Sequence, residues 1–124
     1  MKIHESAENY LEAILILSRR NSDVHAIDIA AELNFSKPSV SIAMKKLREG
    51  GYIEINELGH ITLTDAGAEI AQRIYERHTF LSAWLTALGV DPVVAAEDAC
   101  RMEHVISAET FDAIRAFVHN GQPQ

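Results

Sequence analysis

The fold is decided by the stretch IDIAAELNFSKPSVSIAMKKLREGG, residues Ile27 to Gly51. Its first seven residues place apolar side chains at helical spacing, and a two-residue turn follows. Ser36 then stands where a helix N-cap is needed, with Pro38 in the first turn, where its missing N–H costs little. This second helix is predicted to end at the Gly50-Gly51 pair. The stretch therefore predicts a short helix, a tight turn and a second helix.

The sequence on either side of this stretch extends the pattern. Apolar residues at helical spacing predict a preceding helix from Ser6 to about Ser18. Two β-prone runs follow, at 52–55 and 60–63, and the turn-forming residues 56–59 join them as a hairpin. Helix, short helix, turn, helix and two-stranded hairpin is the order of a winged helix-turn-helix. We therefore predict this domain over residues 1–63.

The second half predicts helices only. Thr64 is placed to cap a long helix to about Leu88, a second helix runs from Asp91-Pro92 to about Ile106, and Ser107 caps a third to about His119. The predicted fold class is mostly α with a small β-hairpin wing. A winged helix-turn-helix domain is followed by an all-α dimerisation domain at 64–124.

Composition excludes several classes of protein. The 124 residues are 48% hydrophobic and 23% charged, as in ordinary soluble domains, and have no aliphatic run long enough to cross a bilayer. The single cysteine, Cys100, cannot form an internal disulfide, and the first residues lack the apolar core of a secretion signal. These features predict a cytoplasmic protein with no membrane partner and no small organic ligand.

The net charge of −7 argues at first sight against nucleic acid, but the charge is segregated. Residues 36–48 contain four basic residues and no acidic one, whereas residues 91–124 contain six acidic residues and two basic ones. The basic segment coincides with the second helix of the helix-turn-helix, which is the element that enters the major groove of DNA. The charge distribution therefore favours double-stranded DNA as a partner.

The predicted DNA-binding residues fall into two groups. Residues near the start of the second helix are placed to reach base edges, and they are Ser36, Lys37, Ser39, Val40 and Ser41. Residues further along are better placed for phosphates, and they are Lys45, Lys46 and Arg48. Two alternatives stay open: a lysine-rich helix that merely faces solvent, and a winged helix that docks another protein.

Metal-ligand side chains are concentrated in the second half. On the helix from Asp91, at about 100° per residue, Cys100, Glu103 and His104 fall on one face beside apolar positions. A carboxylate buried there needs a compensating cation. A metal ion could supply it, and so could a salt bridge from Glu103 to Arg101 or Arg115. His78 favours the metal, because it lies on the apolar spine of the preceding helix.

The first helix has two apolar faces. One of them packs in the winged-helix core, while Asn9 and Glu12 lie on the opposite one. A helix with two apolar faces bridges two bodies, so these side chains are candidates for facing the second half of the chain. A metal held there would couple DNA binding to metal binding. The alternative is that Glu12 is a solvated charge.

Apolar side chains of the second half predict a homodimer. The acidic half has more apolar surface than it can bury alone, contributed by Phe80, Leu81, Trp84, Leu85, Val94 and Val105. A symmetric dimer would bury that surface and set two recognition helices at half-site spacing. The alternative is that these residues pack the domain's own core, as some of them must.

The chain resembles the diphtheria-toxin-repressor family of metal-dependent transcriptional regulators, which includes iron-dependent repressors and manganese transport regulators. The resemblance covers nearly the whole chain, and its motifs occur in the same order as in the family. The motifs are SAENYLE (6–12), DIAAEL (28–33), SKPSVS (36–41), LTDAG (63–67), YERH (75–78) and ACRMEHVIS (99–107). It implies a homodimer that binds palindromic operators when loaded with divalent metal and represses metal-uptake genes. The SH3-like third domain of longer members is not expected.

The resemblance also implies a ligand set. The family's metal ligands match Glu12, His78, Cys100, Glu103 and His104 in this sequence. Asn9 stands where iron regulators have methionine and manganese regulators aspartate, and Ser82 and Ala96 replace two ligands of a second iron-regulator site. The chain is short like the manganese type, but a thiolate favours Fe(II) over Mn(II). The expected cofactor is Fe(II) or Mn(II), with Fe(II) slightly preferred.

Other functions fit the sequence less well. A winged-helix regulator that needs no metal would use Cys100, Glu103 and His104 only as structural residues. A metalloenzyme would keep an open coordination position for water, but the chain has no G-x-S-x-G motif and no phosphate-binding glycine loop. We therefore expect a transcriptional regulator and not an enzyme.

Overall fold

The computed structural model describes residues 5–121 and contains six helices and one hairpin in that range. In chain order these are α1 (Glu5–Arg20), α2 (Ala26–Leu33), α3 (Lys37–Glu49), β1 (Ile53–Ile55), β2 (Ile61–Leu63), α4 (Asp65–Ala87), α5 (Pro92–Val105) and α6 (Ala108–Gly121). The predicted fold class is confirmed, and each predicted element is present within a few residues of its expected bounds.

Side-chain caps explain where several helices begin. The Ser36 hydroxyl accepts a hydrogen bond from the backbone N–H of Ser39 at 3.3 Å, at the start of α3. Asp91 accepts from the N–H groups of Val93 and Val94 at 3.0 and 3.4 Å, at the start of α5. Ser107 caps α6 in the same way. These caps satisfy backbone donors that the first turn of a helix leaves unpaired.

The turn between α2 and α3 depends on a left-handed residue. Asn34 has φ of 58°, and its backbone N–H returns to the carbonyl of Ala30. Asparagine tolerates this conformation better than most residues other than glycine. The sharp turn that results is the one that the helix-turn-helix prediction requires.

The chain forms two compact units that divide between Arg73 and Ile74, within α4. The first unit contains α1–α3, the hairpin and the start of α4. Its core is formed by side chains from α1, α2, α3, the hairpin and the segment just before α2. Those that are at most 2% exposed include Leu11, Ile14, Val24, Ile29, Val40, Met44, Ile53 and Ile61. Apolar burial on this scale is what stabilises the unit.

The hairpin is attached to the helices through its second strand. β1 and β2 pair antiparallel, with Ile53 opposite Leu63 and Ile55 opposite Ile61. The Ile61 N–H also donates to the carbonyl of Val24 at 2.8 Å, just before α2. Gly67 is required nearby, because a Cβ there would collide with the carbonyl oxygen of Tyr52. The hairpin therefore contacts the segment before α2 through Ile61 and the first turn of α4 through Tyr52.

The second unit is a small helical body made from the rest of α4 with α5 and α6. Leu81, Ala99 and Phe111 form its buried centre, surrounded by Phe80, Trp84, Met102 and Ile106. The predicted domain boundary at 63/64 coincides with the start of α4 and stays a prediction. Between residues 5 and 121, no helix has both the length and the apolar character needed to cross a membrane.

Candidate metal centre and nucleic-acid interface

Three predicted metal ligands meet in the second unit. His78 on α4 and Cys100 and Glu103 on α5 offer ligand atoms that all lie within 4.8 Å of one another. The three-residue spacing places Cys100 and Glu103 on the same face of α5, one turn apart. An imidazole, a thiolate and a carboxylate at this separation are the donor types that bind divalent transition metals. Within residues 5–121, His78, Cys100 and Glu103 are the histidine, cysteine and acidic side chains whose ligand atoms come this close together in a group of at least three.

Glu103 lies at the centre of this group. Glu103 is 1% exposed, and its carboxylate oxygen Oε2 lies 3.2 Å from Nδ1 of His78. A buried carboxylate is costly unless positive charge or hydrogen bonds compensate it. The His78 side chain keeps 31% of its surface exposed, whereas its Nδ1 and both carboxylate oxygens of Glu103 are buried. An ion held by this group would neutralise the Glu103 carboxylate.

His104 lies on the other side of the same carboxylate. Its Nε2 is 3.4 Å from Oε1 of Glu103, and both side chains are fully buried although the His104 backbone is partly exposed. His104 is not one of the three donors that lie mutually within 4.8 Å. The structure thus brings His104 to Glu103, while its ligation of metal stays a prediction.

Glu103 forms no salt bridge with Arg101 or Arg115, the two arginines given as possible partners; the basic side chains beside it are those of His78 and His104. Arg101 instead pairs with Asp98 at 3.4 Å, and Arg115 pairs with Asp112 at 3.2 Å. Both pairs join residues three apart on exposed helix surfaces, where such pairs stabilise a protein little. The two arginines named as alternatives to metal therefore have other partners.

Arg77 is a residue of this site that sequence reasoning missed. Its guanidinium donates to the backbone carbonyls of Glu103 and Ile106 at 3.1 and 3.4 Å, and it lies 5.2 Å from the ring centre of Phe111. It thereby ties the last turn of α5 to α4 and orients the segment that contains Glu103. Arg77 precedes His78 on α4, which could have marked it as a candidate for the site. Its partners, however, are backbone carbonyls, and no sequence pattern identifies those.

Asn9 and Glu12 lie on α1, in the first unit. Glu12 is 8% exposed, so it is not the solvated charge that the sequence left as an alternative, and Asn9 is half-buried. A carboxylate this buried needs compensation, as Glu103 does. Metal ligation by these two residues stays a prediction.

The predicted DNA-binding side chains are exposed on α3 and at its N-cap, with one exception. The exposed residues are Ser36, Lys37, Ser39, Ser41, Lys45, Lys46 and Arg48. The four basic residues among them give this surface a positive charge, as phosphate contacts require.

Val40 is the exception, and its predicted contact with base edges is wrong. Its side chain is 0% exposed and lies in the core of the first unit with Met44 and Leu47. Residues four and seven apart share one helix face, and here that face is turned inward. A side chain at the centre of the core cannot reach DNA.

Ile42 is the exposed apolar residue that sequence reasoning left out of this surface. It is 58% exposed, two residues beyond Val40 on the same helix. Assigning the inward face of α3 before choosing DNA contacts would have identified it, because two residues rotate a helix by about 200°.

The chain matches known protein families over both units. Residues 2–61 match the N-terminal DNA binding domain of the iron dependent repressor, and residues 64–123 match its metal binding and dimerisation domain. Together these matches account for nearly the whole chain.

Individual relatives agree with this assignment. The chain is 39% identical over 113 residues to the transcriptional regulator MntR of Escherichia coli O6:H1, covering 91% of this chain and 73% of that protein. Its fold resembles the structure of the manganese regulator SloR with a TM-score of 0.82 at 26% identity, covering 96% of this chain and 55% of that one. It also resembles a manganese-dependent transcriptional repressor in complex with manganese, with a TM-score of 0.80 at 28% identity over 95% of this chain and 54% of that one.

The matches confirm the family that the sequence motifs predicted. Both the DNA-binding and the metal-binding domain are represented, and the relatives are transcriptional regulators and not enzymes. The chain therefore belongs to the iron-dependent repressor family of metal-dependent, DNA-binding transcriptional regulators, to which the diphtheria-toxin repressor and the manganese regulators belong.

Proposed function

We propose that this protein is a cytoplasmic repressor of metal-ion homeostasis genes that binds palindromic operators as a metal-loaded homodimer. The observation that carries the proposal is the meeting of His78, Cys100 and Glu103 ligand atoms within 4.8 Å. A donor set of this kind, in which Glu103 is buried and His78 and Cys100 are partly exposed, gives metal a specific place to bind, and the exposed basic surface of α3 gives DNA one.

The donor set supports Fe(II) as the physiological metal, with Mn(II) as the close alternative. Cys100 contributes a thiolate, which favours Fe(II), Co(II) or Zn(II) over Mn(II). Two of the similar proteins are named for manganese, so that metal remains a serious competitor. His78 on α4 and Cys100 and Glu103 on α5 would hold the divalent ion, whose charge would neutralise the Glu103 carboxylate.

The remaining predicted ligands complete the proposed set. His104 is supported by its 3.4 Å approach to Glu103, and Glu12 by its burial on α1. Asn9 offers an amide oxygen that can bind a hard divalent ion but carries no charge. Ligation by Glu12 would link metal occupancy to the helix that packs under the DNA-binding surface.

Linkage is the proposed mechanism of regulation. The DNA-competent arrangement binds metal more tightly than other arrangements do, so rising metal concentration increases its population. In that arrangement Lys45, Lys46 and Arg48 contact phosphates and the serines of α3 reach base edges. If Glu12 supplies the coupling, Glu12→Gln will weaken the metal dependence of DNA affinity while DNA binding without metal stays as it was.

The homodimer is supported by the family's dimerisation domain and by exposed apolar side chains in the second unit. Those that are at least 46% exposed are Leu88, Val93, Val94, Val105 and Phe117. Leu81 was predicted to contribute to the dimer surface, but it is 0% exposed in the unit's own core. A symmetric pair would bring two α3 helices to two half-sites of one operator.

Anaerobic selection from random duplex DNA tests the proposal directly. Chelator-stripped protein is offered the pool at fixed salt with Fe(II), Mn(II), Zn(II) or no metal, since affinities depend on salt. We expect a palindrome to be enriched only with metal, most strongly with Fe(II). The same palindrome enriched without metal would favour a metal-independent regulator, and no enrichment in any condition would favour a protein-docking module.

A further inference from the structure

We propose that Ile42 determines part of the operator sequence by contacting the 5-methyl group of one thymine in each half-site. This inference rests on the proposed DNA-binding function and specifies the chemistry that α3 recognises. Without this contact, the polar residues around Ile42 would account for all recognition of the operator sequence by α3.

Ile42 points directly away from the core of the first unit. Val40, Met44 and Leu47 are 0%, 2% and 4% exposed and define the inward face of α3. At about 100° per residue, Ile42 is two residues from both Val40 and Met44 and therefore lies about 160° around the helix from each of them. Its 58% exposure agrees with that direction. Burial within its own unit therefore gives no reason for an isoleucine here.

The residues around Ile42 identify the kind of partner that would cover it. Ser41 precedes it, and Lys45 and Lys46 follow one turn later, and all three are exposed. No acidic residue occurs between Ser36 and Arg48. A cationic, hydroxyl-rich helix face attracts a polyanion, and the phosphates of DNA supply one. Charge complementarity thus commits the face to DNA.

Within the major groove an isoleucine has one favourable target. Base edges there present hydrogen-bond donors and acceptors, apart from the thymine C5-methyl group. The Ile42 side chain can neither donate nor accept a hydrogen bond, so facing a guanine, adenine or cytosine edge leaves polar groups desolvated. Contact with the thymine methyl instead removes apolar surface of both partners from water. Ile42 should therefore favour thymine over cytosine at one position.

The test compares Ile42→Ala with a matched control. Ile27 on α2 is 57% exposed, almost the same as Ile42, and lies outside α3. Wild type, Ile42→Ala and Ile27→Ala are used as full-length metal-loaded proteins to select operators from random duplexes. Each thymine of the wild-type operator is then replaced by deoxyuridine, in both half-sites, and affinities are measured at fixed salt. Alanine is a good helix former, so α3 should stay folded, and circular dichroism checks this.

We expect one thymine per half-site at which deoxyuridine weakens wild-type binding about fourfold for each methyl removed. Two half-sites together should give on the order of 15-fold. The same substitution should change the affinity of Ile42→Ala by less than about twofold, while Ile27→Ala keeps the wild-type penalty. Ile42→Ala should also select operators with a weaker preference for thymine there.

The inference is overturned if no thymine of the selected operator is sensitive to loss of its methyl. It is overturned equally if Ile42→Ala retains the full deoxyuridine penalty. Either result leaves the proposed function intact, because a metal-dependent operator has then been selected. Failure to enrich any sequence with any metal overturns the proposed function and this inference together.

Discussion

Glu103 shows how one buried charge can organise a site. It is the only carboxylate of the metal group, it is 1% exposed, and histidine nitrogens lie 3.2 and 3.4 Å from its two oxygens. A carboxylate in an apolar interior is costly unless positive charge or hydrogen bonds compensate it. A ligand that binds at this site must therefore compensate the charge of the Glu103 carboxylate.

Replacing Glu103 with glutamine should reduce metal affinity by at least about 100-fold. Mutation of residues that only support a metal ligand already costs about 10–100-fold, so loss of a charged ligand should cost more. The measurement is a competitive titration of metal-stripped protein with Mn(II) or Co(II). Glu97→Gln is the matched control, because Glu97 is an exposed glutamate on the same helix. Equal affinities of the two variants would exclude Glu103 as a ligand.

The role of a residue could be predicted where that role depends on spacing along one helix, and not where it depends on burial or on contacts in the folded protein. Cys100 and Glu103 are one turn apart on α5, so their common face follows from helix geometry alone. Val40 was misassigned because its helix face was not set before DNA contacts were chosen. Arg77 was missed because its partners are the carbonyls of Glu103 and Ile106, which sequence does not distinguish from any others.

The element that presents the metal ligands is α5, and its start is defined by Asp91. The Asp91 carboxylate accepts from two backbone N–H groups, and its charge lies at the positive end of the helix dipole. Pro92 follows at the first helical position, where proline is favoured. The sequence Asp91-Pro92 therefore sets the register of Cys100 and Glu103.

Asp91→Ala should destabilise the protein by about 1 kcal/mol, because loss of an N-cap side chain typically costs that much. Urea unfolding of the metal-free protein measures it. Glu97→Ala on the exposed surface of α5 is the control and should change the free energy of unfolding by less than about 0.5 kcal/mol. If both variants unfold at the same urea concentration, the cap contributes nothing to α5.

The wing differs from α3 in its charge. Between Ile53 and Leu63 the chain has two exposed glutamates, Glu54 and Glu57, and no lysine or arginine. A hairpin of this composition is repelled by phosphates when α3 lies in the major groove. We therefore expect the affinity of the domain for DNA to come from α3 and not from the wing.

Replacing both wing glutamates with glutamine should strengthen operator binding by about threefold at low salt. The gain should shrink as salt rises, because added ions screen the repulsion. Affinity measured across a salt series tests this. Glu69→Gln on α4, an exposed glutamate outside the wing, is the control. A double wing variant that binds more weakly would mean that the glutamates contact DNA favourably through hydrogen bonds.

For the whole molecule, the question is what covers the apolar surface of the second unit. Val94 is 46% exposed and Val105 is 75% exposed, on the helix that also contains Cys100 and Glu103. Because the chain belongs to a family with a dimerisation domain in this region, we expect a second copy of the chain to cover that surface. Dimerisation and metal binding would then use the same helix.

Val94→Glu should raise the dissociation constant of the dimer by at least about tenfold. A charge buried in an apolar interface without a partner costs several kcal/mol, and a symmetric dimer contains it twice. Val94 lies in the first turn of α5, where glutamate suits the helix dipole, so the monomer should stay folded. Sedimentation equilibrium measures the change. Leu58→Glu, at an apolar position 75% exposed in the wing, is the control. An unchanged dimer would place the interface away from Val94.

The helices, the hairpin, their order and the family could all be predicted from local features of the sequence. Caps such as Ser36 and Asp91, turn residues such as Asn34, and apolar spacing act within a few residues of chain, so a sequence contains them completely. The packing of the helices was needed to show that His78 meets Glu103 across two helices and that Arg77 holds α5. Those relations depend on how helices pack, and packing joins residues that the chain separates by 20 or more positions.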